Sequence, residues 1–154
     1  MDREPRSVNL AGVFLGLVTG KITHPVEKPP SLHVLVVDDE PLIRWSLSET
    51  LAEGGHVVVE AVDAETALQN LLDGPAPFDV VVLDYHLPDS NDLSLLLRIR
   101  RVAPEAVVIM MTAYGTAEMS ADALRLGAYT VVAKPFEVHD MADLVVLAHA
   151  AASQ

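Results

Sequence analysis

The sequence has no cysteine. Disulfides, thiol nucleophiles and cysteine-ligated metals are excluded, and the composition suits a reducing compartment. Positive charge is scarce as well. Ten Lys and Arg stand against 22 Asp and Glu, a formal net charge of −12. Such a chain repels a phosphate backbone, so direct nucleic-acid binding is not expected. Long apolar runs are lacking too. The longest, Val8 to Val18, is eleven residues interrupted by Asn9, Gly12 and Gly16, short of the roughly 18 residues needed to cross a bilayer. Before it, Met1 to Ser7 mixes Asp2 and Glu4 with Arg3 and Arg6. Neither a membrane span nor a secretory signal is expected from that pattern.

What the chain does have is apolar content: 51% of its 154 residues are hydrophobic and 21% are charged. That excludes a disordered polymer and fits one domain, on a scale of about 100–200 residues per domain. Prolines mark a division. Pro25, Pro29 and Pro30 fix φ and restrict their neighbours, so residues 1–30 read as an N-terminal extension with a Pro-rich linker and 31–154 as the domain.

From Ser31 a regular alternation begins. Leu32–Val37 reads as a buried strand. Pro41–Glu53 reads as a helix with Ile43, Leu47 and Leu51 on one face, Pro41 in the first turn and Gly54-Gly55 as its stop. His56–Ala61 is β-branched and strand-like. Asp63 is placed to cap a helix Ala64–Leu72 that turns Leu68, Leu71 and Leu72 inward. Val80–Leu83 and Val107–Met111 are wholly apolar strands. Between them lies a helix Leu93–Val102, capped by Asp92 and closed by Pro104. A helix Ala117–Leu126, a strand Thr130–Ala133 and a helix from Glu137 to about Ala150 complete five βα units. Continuous apolar strands alternating with amphipathic helices predict an α/β fold, a parallel sheet covered on both faces. The mean hydropathy of +0.33 fits that double cover.

In open parallel sheets, ligands bind beyond the carboxyl ends of the strands. The first strand ends in Asp38-Asp39-Glu40, the third in Asp84 and the fourth in Thr112, and the fifth is followed by Lys134-Pro135. Asp38, Asp39 and Asp84 would repel one another unless a cation neutralised them. With Asp89 and Asp92, the two acidic loops hold six acids and no Lys or Arg. An all-oxygen cluster of this kind suits Mg²⁺, whereas the absence of cysteine and of paired histidines argues against zinc.

Four stretches now resemble the receiver domain of two-component response regulators: Val34-Leu-Val-Val-Asp-Asp-Glu40, Val82-Leu-Asp-Tyr-His-Leu-Pro-Asp89, Met111-Thr-Ala113 and Gly127-Ala-Tyr-Thr-Val-Val-Ala-Lys-Pro-Phe136. They occur in family order and spacing over residues 31 to about 150. Arg44-Trp45 and Met111–Thr116 resemble most the receivers of nitrogen-regulator-type transcription activators. The resemblance implies a flavodoxin-like (βα)5 doubly wound sheet in strand order 2-1-3-4-5. It implies Asp84 as phosphoacceptor. Asp38, Asp39, Asp84 and the backbone carbonyl of His86 become the Mg²⁺ site. Thr112 and Lys134 become the partners of the phosphoryl oxygens, with a cis bond before Pro135. It further implies a cytoplasmic histidine kinase as donor, an output domain or protein as recipient, and a surface of the fourth helix, fifth strand and fifth helix that switches. The domain would be a phosphoacceptor and not an enzyme acting on other molecules.

Certain positions differ from the family pattern. Val131 stands where the resemblance leads one to expect an aromatic switch residue, so the signal passes either through Thr112 and its loop or through Tyr129. Asn91-Asp92 replaces Asp-Gly in the loop after Asp84. His86 and Tyr114, each two residues beyond a site residue, match positions that in similar proteins flank the phosphoryl group and tune hydrolysis; the alternative is two half-exposed loop side chains. In the last helix Val138, Met141, Leu144, Val145 and Ala148 form one stripe, with Val146 and Leu147 outside it. That surplus suggests homodimerisation through the last two helices, or cover by Val8–Val18; the alternative is an ordinary buried helix. Two rival functions are weaker. A haloacid-dehalogenase-type phosphatase needs a second Asp two residues after its nucleophile, where this chain has His86. A degenerate receiver acting purely as an interaction module would not need every site position filled.

Overall fold

The computed structural model describes residues 30–153, and residues 31–154 form a unit of their own. The Val8–Val18 run and most of the Pro-rich segment lie outside the described residues. Five strands, β1 (His33–Val37), β2 (Val57–Ala61), β3 (Val80–Asp84), β4 (Val107–Thr112) and β5 (Thr130–Ala133), alternate with five helices. The helices are α1 (Pro41–Glu53), α2 (Ala64–Asp73), α3 (Ser94–Val102), α4 (Ala117–Arg125) and α5 (Val138–Ala152). The sheet is parallel throughout, in the order β2-β1-β3-β4-β5.

The period-two geometry of a strand explains why the central strands are apolar at every position. Leu35, Val37, Val81, Leu83, Val108 and Met110 face one core with Ala67 and Leu68 of α2, Leu95, Leu96 and Ile99 of α3, and Ala123 of α4. Their neighbours Val34, Val36, Val80, Val82, Ile109 and Met111 face the other, with Leu47 and Leu51 of α1 and Met141, Val145 and Ala148 of α5. Each residue of β3 and β4 is buried, including the polar residues that end them, Asp84 and Thr112. Burial of apolar surface on both faces, at about 25 cal/mol per Å², holds these two charged or polar groups at the sheet's edge.

Local structure follows the expected chemistry at most termini. Asp63 caps α2 by accepting from the Thr66 N–H at 2.8 Å. Thr116 and Glu137, neither foreseen as caps, do the same for α4 and α5. Two expectations are corrected. Leu72 is 63% exposed rather than inward, because α2 turns Ala64, Ala67 and Leu68 to the sheet and position 72 falls off that face. Asp92 does not occupy the cap position of α3; Leu93 does. Asp92 instead accepts from the N–H and hydroxyl of Ser94 two residues on. Asp84 and Thr112 end their strands, as expected.

In α5, Met141, Val145 and Ala148 are buried and Leu144 packs against them, while Leu147 is 61% exposed. In α1 the Ser48 hydroxyl is buried with no hydrogen-bond partner among the described residues. An unmade hydrogen bond costs more than an apolar replacement, and Ala is the better helix former. Ser48→Ala is expected to raise stability by about 1 kcal/mol, read as a higher midpoint in urea denaturation; a lower midpoint would show that the hydroxyl has a partner in solution.

Candidate functional site

The order β2-β1-β3-β4-β5 reverses direction between β1 and β3, and at such a switch point the two outgoing loops part to leave a crevice. Asp38 follows β1 and Asp84 ends β3, on either side of it. Asp38 is fully buried, Asp84 is 5% exposed and Asp39 is exposed. One carboxylate oxygen from each of the three lies within 4.8 Å of the others.

Lys134, carried in from the end of β5, supplies the positive charge that the two acidic loops lack. Its Nζ donates to Asp38 Oδ2 at 2.9 Å and to Glu40 Oε1 at 3.1 Å, and lies 3.2 Å from Asp84 Oδ2. The Lys134–Pro135 bond is cis, as expected. Asp38 is held at both oxygens, since its Oδ1 accepts from the Glu40 N–H at 2.8 Å. Asp84 Oδ1 accepts from the His86 N–H at 3.3 Å. Thr112 sits on the neighbouring strand, paired in register with Ala133; its hydroxyl accepts from the Tyr114 N–H at 3.2 Å.

The electrostatics reflect burial. Burial first, and then the charge of Asp38, push the Asp84 carboxyl up to about 6, against the pull of Lys134 and the His86 N–H. Burial alone would lower Lys134. Its hydrogen bonds to Asp38 and Glu40 and the charge of Asp84 outweigh that and hold the ammonium above the usual lysine range. A site with two buried carboxylates, two exposed ones and one cation carries surplus negative charge. Its donors are all oxygens and suit a hard divalent cation.

The six acids expected around one site divide. Asp38, Asp39, Glu40 and Asp84 gather there. Asp89 does not: its two oxygens accept from the Ala64 and Glu65 N–H groups at 2.8 and 3.1 Å, closing the N-terminus of α2. Asp92 is spent on Ser94. A helix N-terminus carries partial positive charge, so Asp89 is compensated locally. The rim is aromatic. His86 meets Tyr85 edge-on at 4.9 Å between ring centres and Tyr114 at 6.2 Å, and Tyr114 is 83% exposed. Val131 and Thr112 line a cavity of about 280 Å³ with the small residues Ala113, Gly115, Ala117 and Ala133. Tyr129 does not reach this cavity; it lines a separate one beside Arg100 and Gly127.

The chain resembles known proteins over this same region. It is 39% identical over 112 residues to the response regulator protein FleR of Pseudomonas aeruginosa, covering 73% of this chain and 23% of that one. It is 33% identical over 112 residues to the DNA-binding transcriptional regulator NtrC of Azospirillum brasilense, with the same coverage of each. The chain thus spans about a quarter of the length of these relatives. The crystal structure of a CheY-like response regulator receiver domain protein from Methanospirillum hungatei superposes with a TM-score of 0.75 at 26% identity, over 80% of this chain and 98% of that one. Residues 34–146 match the family description "Response regulator receiver domain". The fold, with its acidic crevice at the β1/β3 switch point, and these matches agree: the chain belongs to the response regulator receiver domain family.

Proposed function

We propose that this domain accepts a phosphoryl group on Asp84 from a phosphohistidine of a histidine kinase and passes the change to an output domain or partner. One observation carries the reading: a buried, nearly solvent-free carboxylate at a strand end, with a lysine 3.2 Å away and two further acids close by. An Asp84 oxygen attacks phosphorus, the bond from phosphorus to the histidine nitrogen breaks, and the new bond is an acyl phosphate on Asp84. The protein's part is positioning and charge neutralisation. The Asp84 oxygen held by His86 N–H and the oxygen facing Lys134 fix the carboxylate's plane. Lys134 is placed to follow the incoming phosphoryl oxygens while still anchored by Glu40. Thr112, two strands' width from Asp38, offers its hydroxyl once it leaves the Tyr114 N–H.

Asp39 and Asp84 with the backbone carbonyl of His86, and Asp38 behind them, would hold Mg²⁺; a bound Mg²⁺ supplies charge neutralisation between carboxylates and phosphoryl oxygens. The new group adds charge and strong acceptors. In this reading it draws Thr112 inward and shifts the α4-β5-α5 surface, a two-state element biased by local charge. Tyr129 faces elsewhere, so the reading routes the signal through Thr112 and the loop to Thr116. Residues 31–154 act as the receiver and residues 1–30 as an extension and linker. The kinase and the domain meet in the cytoplasm, and α4 and α5 are the faces on which a homodimer would form.

The test is intact mass after incubation with acetyl phosphate. Gain of one phosphoryl group is expected in wild type with Mg²⁺. Wild type with a chelator and Asp84→Asn with Mg²⁺ are expected to gain none. No gain in wild type from acetyl phosphate or from a phosphorylated kinase, with Mg²⁺ bound, would establish instead a degenerate receiver used as an interaction module.

A further inference from the structure

The loop after β1 has an anchor that phosphoryl transfer itself does not use. Arg44, in the first turns of α1, reaches back across the helix start. Its Nη1 donates to the backbone carbonyl of Asp38 at 2.8 Å, and its Nε donates to Glu60 Oε1 at 2.9 Å. Glu60 is in β2, and the next residue, Ala61, accepts the Asp38 N–H through its carbonyl at 3.1 Å. Asp38 is therefore tied to β2 at both ends of its backbone, once directly and once through a guanidinium.

The acids differ in what holds them. The Asp38 carboxylate is fixed by the Glu40 N–H and Lys134, and that of Asp84 by the His86 N–H and Lys134. Asp39 is exposed, and its carboxylate has no hydrogen-bond or ion-pair partner among the described residues. Only its backbone can aim it. The carbonyl that Arg44 grips belongs to the peptide joining Asp38 to Asp39, and a peptide unit is planar. Gripping that oxygen sets the orientation of the plane, and with it the direction in which the Asp39 side chain leaves the chain.

We propose that Arg44, braced by Glu60, is a positioning residue for the cation site: it fixes the Asp38–Asp39 peptide so that the Asp39 carboxylate meets Asp84 across the crevice. The proposal rests on the phosphoacceptor reading, through that reading's need for Mg²⁺. An arginine suits the task because its planar fork serves two acceptors at once, which a lysine ammonium on a flexible stem does not. Residues one step removed from a metal matter through such orientation.

The sign of the effect separates positioning from charge. Arg44 is itself positive and close to the acids. If it acted only through its charge, removing it would strengthen Mg²⁺ binding, since like charges repel. If it positions Asp39, removing it weakens binding despite the lost repulsion.

The experiment is calorimetric Mg²⁺ titration of the full chain as wild type, Asp39→Asn, Arg44→Ala, Arg44→Lys and Glu60→Gln, with the melting temperature of each metal-free protein. Arg44→Ala is expected to weaken Mg²⁺ binding by about 10- to 100-fold, and Glu60→Gln by up to about fivefold, as befits one half-exposed ion pair. Arg44→Lys is expected between wild type and Arg44→Ala. Phosphoryl gain from acetyl phosphate is expected to recover in Arg44→Ala when Mg²⁺ is raised to saturation, because Asp84, Thr112 and Lys134 are untouched. Wild-type or tighter Mg²⁺ binding by Arg44→Ala overturns the proposal, whatever its melting temperature. Should Arg44→Ala fail to fold, wild-type affinity in Arg44→Lys overturns it equally. Absence of Mg²⁺ binding in wild type removes the phosphoacceptor reading and this proposal together, whereas binding in wild type with no loss in the Arg44 variants removes this proposal alone.

Discussion

Lys134→Met will cost the metal-free protein about 3–5 kcal/mol at pH 7, the usual penalty for removing one partner of a buried ion pair. The magnitude follows from what is left behind. Nζ sits among Asp38, Glu40 and Asp84 at 2.9, 3.1 and 3.2 Å. Glu40 is exposed and returns to water, but Asp38 and Asp84 are buried. Two carboxylates then face each other with no cation, and at least one must take up a proton. The pH dependence gives the check. Lys134 is held above its ordinary range, so its own contribution is fully present at neutral pH and is lost only as pH rises through that raised value. In the variant the downward pull on Asp84 is gone, and its pKa rises above the wild-type value of about 6. The native variant therefore binds protons that its unfolded state does not, and its stability falls as pH rises. Urea denaturation at pH 5 and pH 8 is expected to show a small deficit at the first and a large one at the second. An equal deficit at both would mean that Lys134 contributes packing rather than charge.

The same residues show how much of the molecule was legible beforehand. The wholly apolar runs Val80–Leu83 and Val107–Met111 marked central strands, because only a strand buried on both faces tolerates no polar alternation. The bounds of α1 followed from Pro41 and Gly54, which act on the backbone locally. The gathering of Asp38, Asp39, Asp84, Thr112 and Lys134 at one edge followed from the βα order alone, since all parallel strands deliver their carboxyl ends to the same side. The roles of these residues came from family resemblance, not from pattern. What the pattern missed are side chains whose hydrogen-bond partners lie far away in sequence. Asp89 closes α2 across 25 positions, and Arg44 reaches Glu60 across 16. Nothing in hydrophobic periodicity specifies such contacts. Asp89 read as one more acid of the site, and Arg44 only as part of the resemblance to nitrogen-regulator-type receivers, with no partner assigned. Leu72 was misplaced for the converse reason: leucine spacing implied a broad inward face, whereas the small residues Ala64 and Ala67 bring α2 close to the sheet and narrow it.

Asp84→Asn is expected to abolish phosphoryl gain and, at the same time, to stabilise the metal-free protein. The two effects share one cause. Asp84 is raised to about 6 first by burial and then by Asp38, so at neutral pH the fold holds ionised a group that its environment disfavours. For such a group the native state binds the proton more tightly than the unfolded state. Its destabilising effect is absent below the ordinary aspartate range, grows as pH rises from about 4 to about 6, and is complete above that. The interval corresponds to about 3 kcal/mol if Asp84 bore it alone. Asp38 shares the repulsion, so a gain of about 1–3 kcal/mol at pH 7 is the expected result. Lys134 does not reverse the balance, because in the variant it keeps Asp38 and Glu40. Stability of wild type and variant should converge near pH 4 and separate by pH 7. Mg²⁺ should raise the wild-type melting temperature by mass action and raise that of the variant much less. A variant no more stable than wild type at pH 7 would mean that Asp84 is not strained by its surroundings. The cost of keeping an ionised carboxylate in a nearly dry crevice would then have to be sought elsewhere in the site. A stabilised variant that takes no phosphoryl group would show that the strain at Asp84 and its reactivity belong to the same buried charge.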